Sequence, residues 1–372
     1  MRIRPIIHFS TNFELTRLFA MKASQSEVLF NQFGKDVFTF ELVNDNGMKV
    51  SLSNYGGIVQ SLIFLDRDGN FVDVVLGFDK IEDYLSADYL KNYPYFGAII
   101  GRYANRISQA KFPIDGQLIH VSSNTPPHQL HGGVEGFDKK VWEVISVEEH
   151  PTPKVKLAYL SADGEEGFPG NVEITLIFEL NNQNELSLMI EAVTDAATAI
   201  NMCNHCYFNL NGDGSLIEDH LVEIPADYYL AQDADYVVTG ELIATKNSTH
   251  DFLNPTPIGQ NSIPGEGYDQ AFVLNKPART WGKAASAFSP KTGITLEVLT
   301  DQPGVQFYSG KYLEVQNGKN GVHYKPFTSF CFETQHHPNS VNIPSFAQTI
   351  LRPGEKYQSK TVFKLSCSNP SE

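Results

Sequence analysis

The chain has 372 residues, 28 of them basic and 43 acidic, for a formal net charge of −15. That excess of negative charge repels phosphate backbones and anionic lipid, so neither nucleic acid nor a membrane surface is expected as a partner. Hydrophobic residues at 41% and charged residues at 19% exclude a disordered chain, and no apolar run approaches the roughly 18 residues that a spanning helix needs.

Residues 1–20 carry Arg2 and Arg4, but His8, Ser10, Thr11 and Asn12 interrupt the apolar stretch that follows, so they do not read as a secretory signal. Glu14 argues against an organelle transit peptide. Met21 opens a more regular stretch, and residues 1–26 are set apart as an N-terminal tail from a domain over residues 27–368. From about Asp36 onward, short alternating stretches are separated by turn residues. Val50 and Leu52, then Ile58, Val59, Leu62 and Phe64, flank Asn54-Tyr55-Gly56-Gly57 and predict strand, turn, strand. The stretch 81–90 is the one convincing helical run, and it is short. Residues 172–180 and 186–190 flank Asn181-Asn182-Gln183-Asn184, a four-residue hairpin loop. Residues 294–299 and 305–308 repeat the device around Asp301-Gln302-Pro303-Gly304. The 25 Phe and 16 Tyr favour strands, while 28 Gly and 20 Pro punctuate turns. With no linker and no repeat, the pattern predicts one large all-β domain of sandwich type.

Six places break the strand pattern with His, Asn, Arg and acids bordered by glycine. They are 101–107 (GRYANRI), 130–133 (LHGG), 204–210 (NHCYFNL), 267–269 (GYD), 303–308 (PGVQFY) and 332–335 (FETQ). Functional side chains concentrate on loops held by a rigid scaffold. Alone, each is ambiguous: His131 suits a turn bonded to backbone, His205 a core histidine, Asp269 a turn cap, and Glu333 a strand residue facing water. Cys203-Asn204-His205-Cys206 has C-x-x-C spacing, yet the run that follows reads as strand, where residues three apart point to opposite faces. That argues against a redox or zinc site. His336-His337 reads as a surface or cleft-edge pair. No P-loop or Rossmann fingerprint precedes a helix, so no nucleotide cofactor is expected. Four cysteines are too few for a disulfide framework and suit a reducing, cytoplasmic setting.

Together with DVVLGF at 73–78, HGGVEGFDKKVW at 131–142, DGEEGFPG at 163–170 and LRPGE at 351–355, these motifs closely resemble the galactose mutarotase (aldose 1-epimerase) family from near Phe33 to near Phe363. The resemblance implies a large antiparallel β-sandwich of the supersandwich type, a single domain, no cofactor, and a small-molecule sugar as partner. It implies exchange between the α and β anomers of free aldohexoses such as galactose and glucose. Carried over by motif, Glu333 is the general base and His205 the general acid. Asn105, Arg106, His131, Asp269 and Gln306 hold the sugar. Neither the preferred sugar nor the choice between monomer and dimer follows from the sequence. Departures from the family pattern include Cys203 and Cys206, where Thr and Ser are common, Phe168 and Tyr268 in place of Tyr and Phe, and Asn339 in place of Asp.

The chemistry accounts for those residue types. Opening a pyranose ring takes a proton from the C1 hydroxyl and delivers one to the ring oxygen, which a carboxylate and an imidazolium can do together. An acid near His205, Asp269 or another, is expected to keep that imidazole partly protonated near neutral pH. Phe307, Tyr207 and Phe208 are candidates for an apolar face under the sugar, with core roles expected for two of them. Hexose 6-phosphates would need a cluster of cations at the cleft, and beyond Arg102 and Arg106 the motifs supply few. A binding sandwich without turnover has no need of both Glu333 and His205.

Overall fold

The computed structural model describes residues 20–262, 265–277 and 279–368. In Val172–Leu180 and Glu185–Thr194 alternate side chains are buried, as expected of strands with one face on a core. The two pair antiparallel with Leu180 opposite Leu186, so residues 181–184 form the expected turn. Among the described residues this hairpin lies in a nine-stranded antiparallel sheet running from Glu143–Glu148 to Thr256–Pro257. A second sheet has six strands in the order Tyr207–Phe208, Phe330–Gln335, Gly304–Tyr308, Asp269–Val273, Tyr228–Gln232 and Val238–Ala244. Phe178, Leu188, Phe307, Phe332 and Phe363 share one buried cluster between them, and Phe208 meets Phe363 with ring centres 5.5 Å apart. Burying each such side chain stabilises the fold by about 1.5–3 kcal/mol before entropy is counted. The large antiparallel sandwich is therefore present, as expected.

The strand Phe330–Gln335 is buried along its whole length, because both of its faces are covered. Phe330 and Phe332 enter the core, and Thr334 meets Thr361 of the nine-stranded sheet at 2.5 Å. Alternation turns Cys331, Glu333 and Gln335 to the other face. Gln306 stands opposite Glu333 in register, and Ala271, two residues from Asp269, stands opposite Gln306. Glu333, Gln306 and Asp269 thus gather on one face.

Three expectations change. Residues 81–90 form a 3₁₀ turn at Ile81–Leu85 and then a five-residue α-helix, Ala87–Lys91. Ser86 separates them, extended in backbone and accepting the Tyr89 amide on its side chain, which is the N-cap chemistry that restarts a helix. Ile294–Thr300 and Gly304–Tyr308 do not pair with each other, since the first belongs to the nine-stranded sheet and the second to the six-stranded one. A Pro-Gly turn specifies a change of direction and not a partner. Finally, Lys22–Gln25 pairs with Thr39–Val43 at the edge of a five-stranded sheet, so the fold already includes residues inside the stretch 1–26. Residues 1–19 lie outside the described residues. Among those described, no helix is long and apolar enough to cross a membrane.

Candidate active site

A cleft of about 220 Å³ opens over the polar face of the six-stranded sheet. Asn105, Arg106, His131, His205, Asp269 and Glu333 all line it. Gln306, the seventh residue expected there, lies beside the cleft on the same face of the sheet, opposite Glu333 in register. Its Nε2 donates to Asp269 Oδ1 at 2.7 Å, so it orients Asp269.

Each side chain is placed by a local device. His205 lies between two short strands, Cys203–Asn204 paired to Ile99–Ile100 and Tyr207–Phe208 paired to the start of Phe330–Gln335. Its Nε2 faces Glu333 Oε1 at 3.6 Å, and its ring lies nearly parallel to Tyr207, with centroids 5.0 Å apart. His131 packs edge-on to His205 at 5.2 Å. The Asn105 amide donates to His131 Nδ1 at 3.3 Å, which leaves a neutral ring with its proton on Nε2. Asn105 Oδ1 accepts the Arg106 amide at 2.7 Å, leaving its NH₂ for a ligand. The Arg106 guanidinium lies over Tyr236, 5.3 Å from the ring centre.

The LHGG turn explains its own glycines. His131 and Gly132 both have positive φ, 52° and 86°, and a Cβ on Gly132 would sit 1.9 Å from the Gly101 carbonyl oxygen. Beyond the turn, Glu166 accepts the amides of Val134 and Glu135 at 2.9 and 3.0 Å, which ties the DGEEG loop to the segment after His131. Asn105 and Tyr95 also adopt positive φ, 62° and 60°. Strained backbone of this kind clusters where function over-determines geometry.

Burial dominates the electrostatics. Glu333, 3% exposed, is pushed up to about 8, first by desolvation and then by the charge of Asp269. Desolvation pushes His205 down to about 4. His131 is held well below its ordinary value by burial, then by His205 and Arg106. The expectation that an acid keeps His205 protonated is not met: burial lowers His205, and the Asp269 charge acts on Glu333 instead. Burial thus pushes both members of the pair toward their neutral forms, the carboxyl upward and the imidazole downward.

Arg102 does not reach the cleft. It is 2% exposed, and its guanidinium donates to Ser161 Oγ and O, Ala162 O, Pro169 O and Thr198 Oγ1. Arg106 is thus the only Arg or Lys among the residues lining the cleft. Of the three candidate aromatics, Tyr207 lines the cleft, while Phe208 and Phe307 are in the core. Cys203 and Cys206 diverge as strand geometry requires: Cys203 contacts Glu333 and Cys206 joins the main core. Ligating atoms of His131, His205 and Glu333 all lie within 4.8 Å of one another.

Sequence reasoning missed the opposite wall. Asn92, Tyr93, Pro94, Tyr95, Tyr312 and Leu313 complete the cleft, Tyr95 lies nearly parallel to the His205 ring at 5.9 Å, and Lys139 Nζ sits 4.5 Å over the Tyr93 ring. The available signal was NYPY, two tyrosines about a proline in an irregular stretch.

This arrangement has counterparts. Residues 39–364 match the family model described as aldose 1-epimerase. Human galactose mutarotase is 39% identical over 356 residues, covering 92% of this chain and 99% of the human protein. Aldose 1-epimerase of Haemophilus influenzae is 36% identical, covering 87% of this chain and 94% of that protein. Among solved structures, galactose 1-epimerase from Lactobacillus acidophilus superposes with a TM-score of 0.81 at 26% identity, over 94% of this chain and all of that one. The aldose epimerase homologue from C. elegans does so with a TM-score of 0.82 at 29% identity, over 89% of this chain and 99% of its own. The matched length, the identities and the superposed fold show that the chain belongs to the aldose 1-epimerase family.

Proposed function

We propose that this chain is an isomerase exchanging the α and β anomers of free aldohexoses, galactose and glucose among them, with Glu333 as general base and His205 as general acid. The observation that carries the reading is the Glu333 Oε1–His205 Nε2 pair, 3.6 Å apart and nearly dry, at the floor of a sugar-sized cleft.

The reaction uses the proton that the pair already holds. In the opening step the carboxylate accepts the C1 hydroxyl proton, the imidazolium gives its proton to the ring oxygen, and the C1–O5 bond breaks to an open-chain aldehyde. Glu333 is then protonated and His205 neutral, the distribution that burial favours. Rotation about C1–C2 presents the other carbonyl face. The C5 hydroxyl attacks, its proton returns to His205, and Glu333 protonates O1. No proton is gained or lost overall. Each group supplies about 10²–10⁴-fold in rate. His131 Nε2–H, the Asn105 NH₂, Arg106 and the Asp269 carboxylate offer the donors and acceptor that hold the other hydroxyls. Among the described residues all four cysteines are free thiols, which supports a cytoplasmic setting.

With Arg106 the only Arg or Lys among the described residues that line the cleft, a neutral sugar is favoured over a 6-phosphate. Polarimetry on freshly dissolved α-D-galactose, α-D-glucose and glucose 6-phosphate tests this. Acceleration of both free sugars, with little on the phosphate, is expected. Acceleration of the phosphate alone would overturn the substrate assignment.

A further inference from the structure

Among the described residues, the Glu333 side chain receives one protein hydrogen bond, from Cys203, whose Sγ lies 3.5 Å from Oε2. The other oxygen, Oε1, is the one that faces His205 Nε2. Cys203 is well placed to decide that division. It lies on the short strand Cys203–Asn204, in register with Ile100, and its side chain is 2% exposed in a cluster with Ile100 and Ala104. A terminal carboxylate torsion is broad, so without a fixed contact the plane of the group is free to turn and take its second oxygen out of line with His205.

We propose that Cys203 is the positioning residue for the base. Its thiol pins Oε2 and turns Oε1 toward His205 and the sugar. As a weak donor, it also leaves the carboxylate more basic than a hydroxyl at this position would. The inference rests on the reading of Glu333 as the base. The other titratable or charged groups around Glu333 are His205 and His131 across the cleft floor, Tyr207 on the strand beside it, Cys331 on its own strand, Asp269 two strands away in the same sheet, and Arg106. Of these, Asp269 raises the carboxyl and Arg106 lowers it, while none donates to Oε2. A donor stabilises the carboxylate, so removing it shrinks the fraction of one-proton pairs in the carboxylate–imidazolium form and delays ionisation at high pH.

The experiment measures kcat/KM for α-D-galactose from pH 4 to 10 with wild type, Cys203→Ala and Cys203→Ser, alongside Tm. For Cys203→Ala, the plateau is expected to fall about five- to ten-fold, the loss of one weak charge-assisted hydrogen bond. KM should stay within about two-fold, and the alkaline limb should move to higher pH. Cys203→Ser should recover the plateau to within about two-fold with the limb below that of wild type. Variants that keep the wild-type profile, or that lose activity and Tm together with the limb unmoved, overturn the positioning role while leaving the base in place. A wild type without activity overturns the base assignment, and this inference with it.

Discussion

Glu333→Gln should move activity and stability in opposite directions. Glutamine keeps the shape of the side chain but cannot take the C1 hydroxyl proton. kcat should fall about 10²–10⁴-fold, or about 3–5 kcal/mol of barrier, while KM changes little because Asn105, Arg106, His131 and Asp269 remain. The folded wild type holds this carboxyl near 8, against an ordinary value of 4.5. Between those values the folded chain keeps a proton that the unfolded chain has released, so the native state loses stability as pH rises through the window. At pH 7 the loss amounts to about 1.4 kcal/mol for each of about 2.5 pH units, or about 3 kcal/mol. The amide removes that slope but must itself be buried, so a net gain of about 1–3 kcal/mol is expected at pH 7 and less at pH 5. Urea unfolding at both pH values, with polarimetric initial rates, reads both effects. A variant that keeps more than a tenth of wild-type kcat would refute the base, and a stability change identical at pH 5 and 7 would refute the buried, proton-holding carboxyl.

Other outcomes follow from the same geometry. Because the pair carries one proton between the titrations of His205 and Glu333, kcat/KM should plateau between about pH 4 and about pH 8 and fall on both sides. Asp269→Asn removes the charge that lifts Glu333, so the alkaline limb should move to lower pH while KM for galactose rises about ten-fold or more with the lost acceptor. Gly132→Ala puts a Cβ against the Gly101 carbonyl in a left-handed conformation and should cost about 2–4 kcal/mol in urea unfolding. Arg102→Met removes a buried guanidinium that donates to three carbonyls and two hydroxyls. It should destabilise by about 3–5 kcal/mol by the same method, with KM of the surviving folded protein unchanged because Arg102 lies outside the cleft.

The sandwich was legible because strand periodicity is local: the alternation in residues 172–180 and 186–190 specifies both the buried face and the hairpin. Which sheet a strand joins is a long-range matter, which is why residues 294–299 and 305–308 read as a hairpin and are instead split between two sheets. Six of the seven expected site residues line the cleft, found through motif resemblance more than through any local pattern. Gln306 bonds Asp269, and sequence does not say whether a strand glutamine touches a ligand or the residue that does. The tyrosine wall at 93–95 depends on a positive φ at Tyr95, a conformation that tyrosine rarely signals in advance. The protonation of the pair was misjudged for a related reason. Spacing shows that Asp269 exists, but only packing shows that its charge acts on Glu333 and that burial outweighs every charge near His205.

The central claim is that this cleft exchanges anomers through the Glu333–His205 pair. Two-dimensional exchange NMR on galactose already at anomeric equilibrium tests it without mixing or separation. With wild-type chain, cross-peaks linking the α and β anomeric protons should grow far above the uncatalysed background, and with the double variant Glu333→Gln/His205→Ala they should fall to it. Cross-peaks that persist at wild-type strength in the double variant would contradict the account.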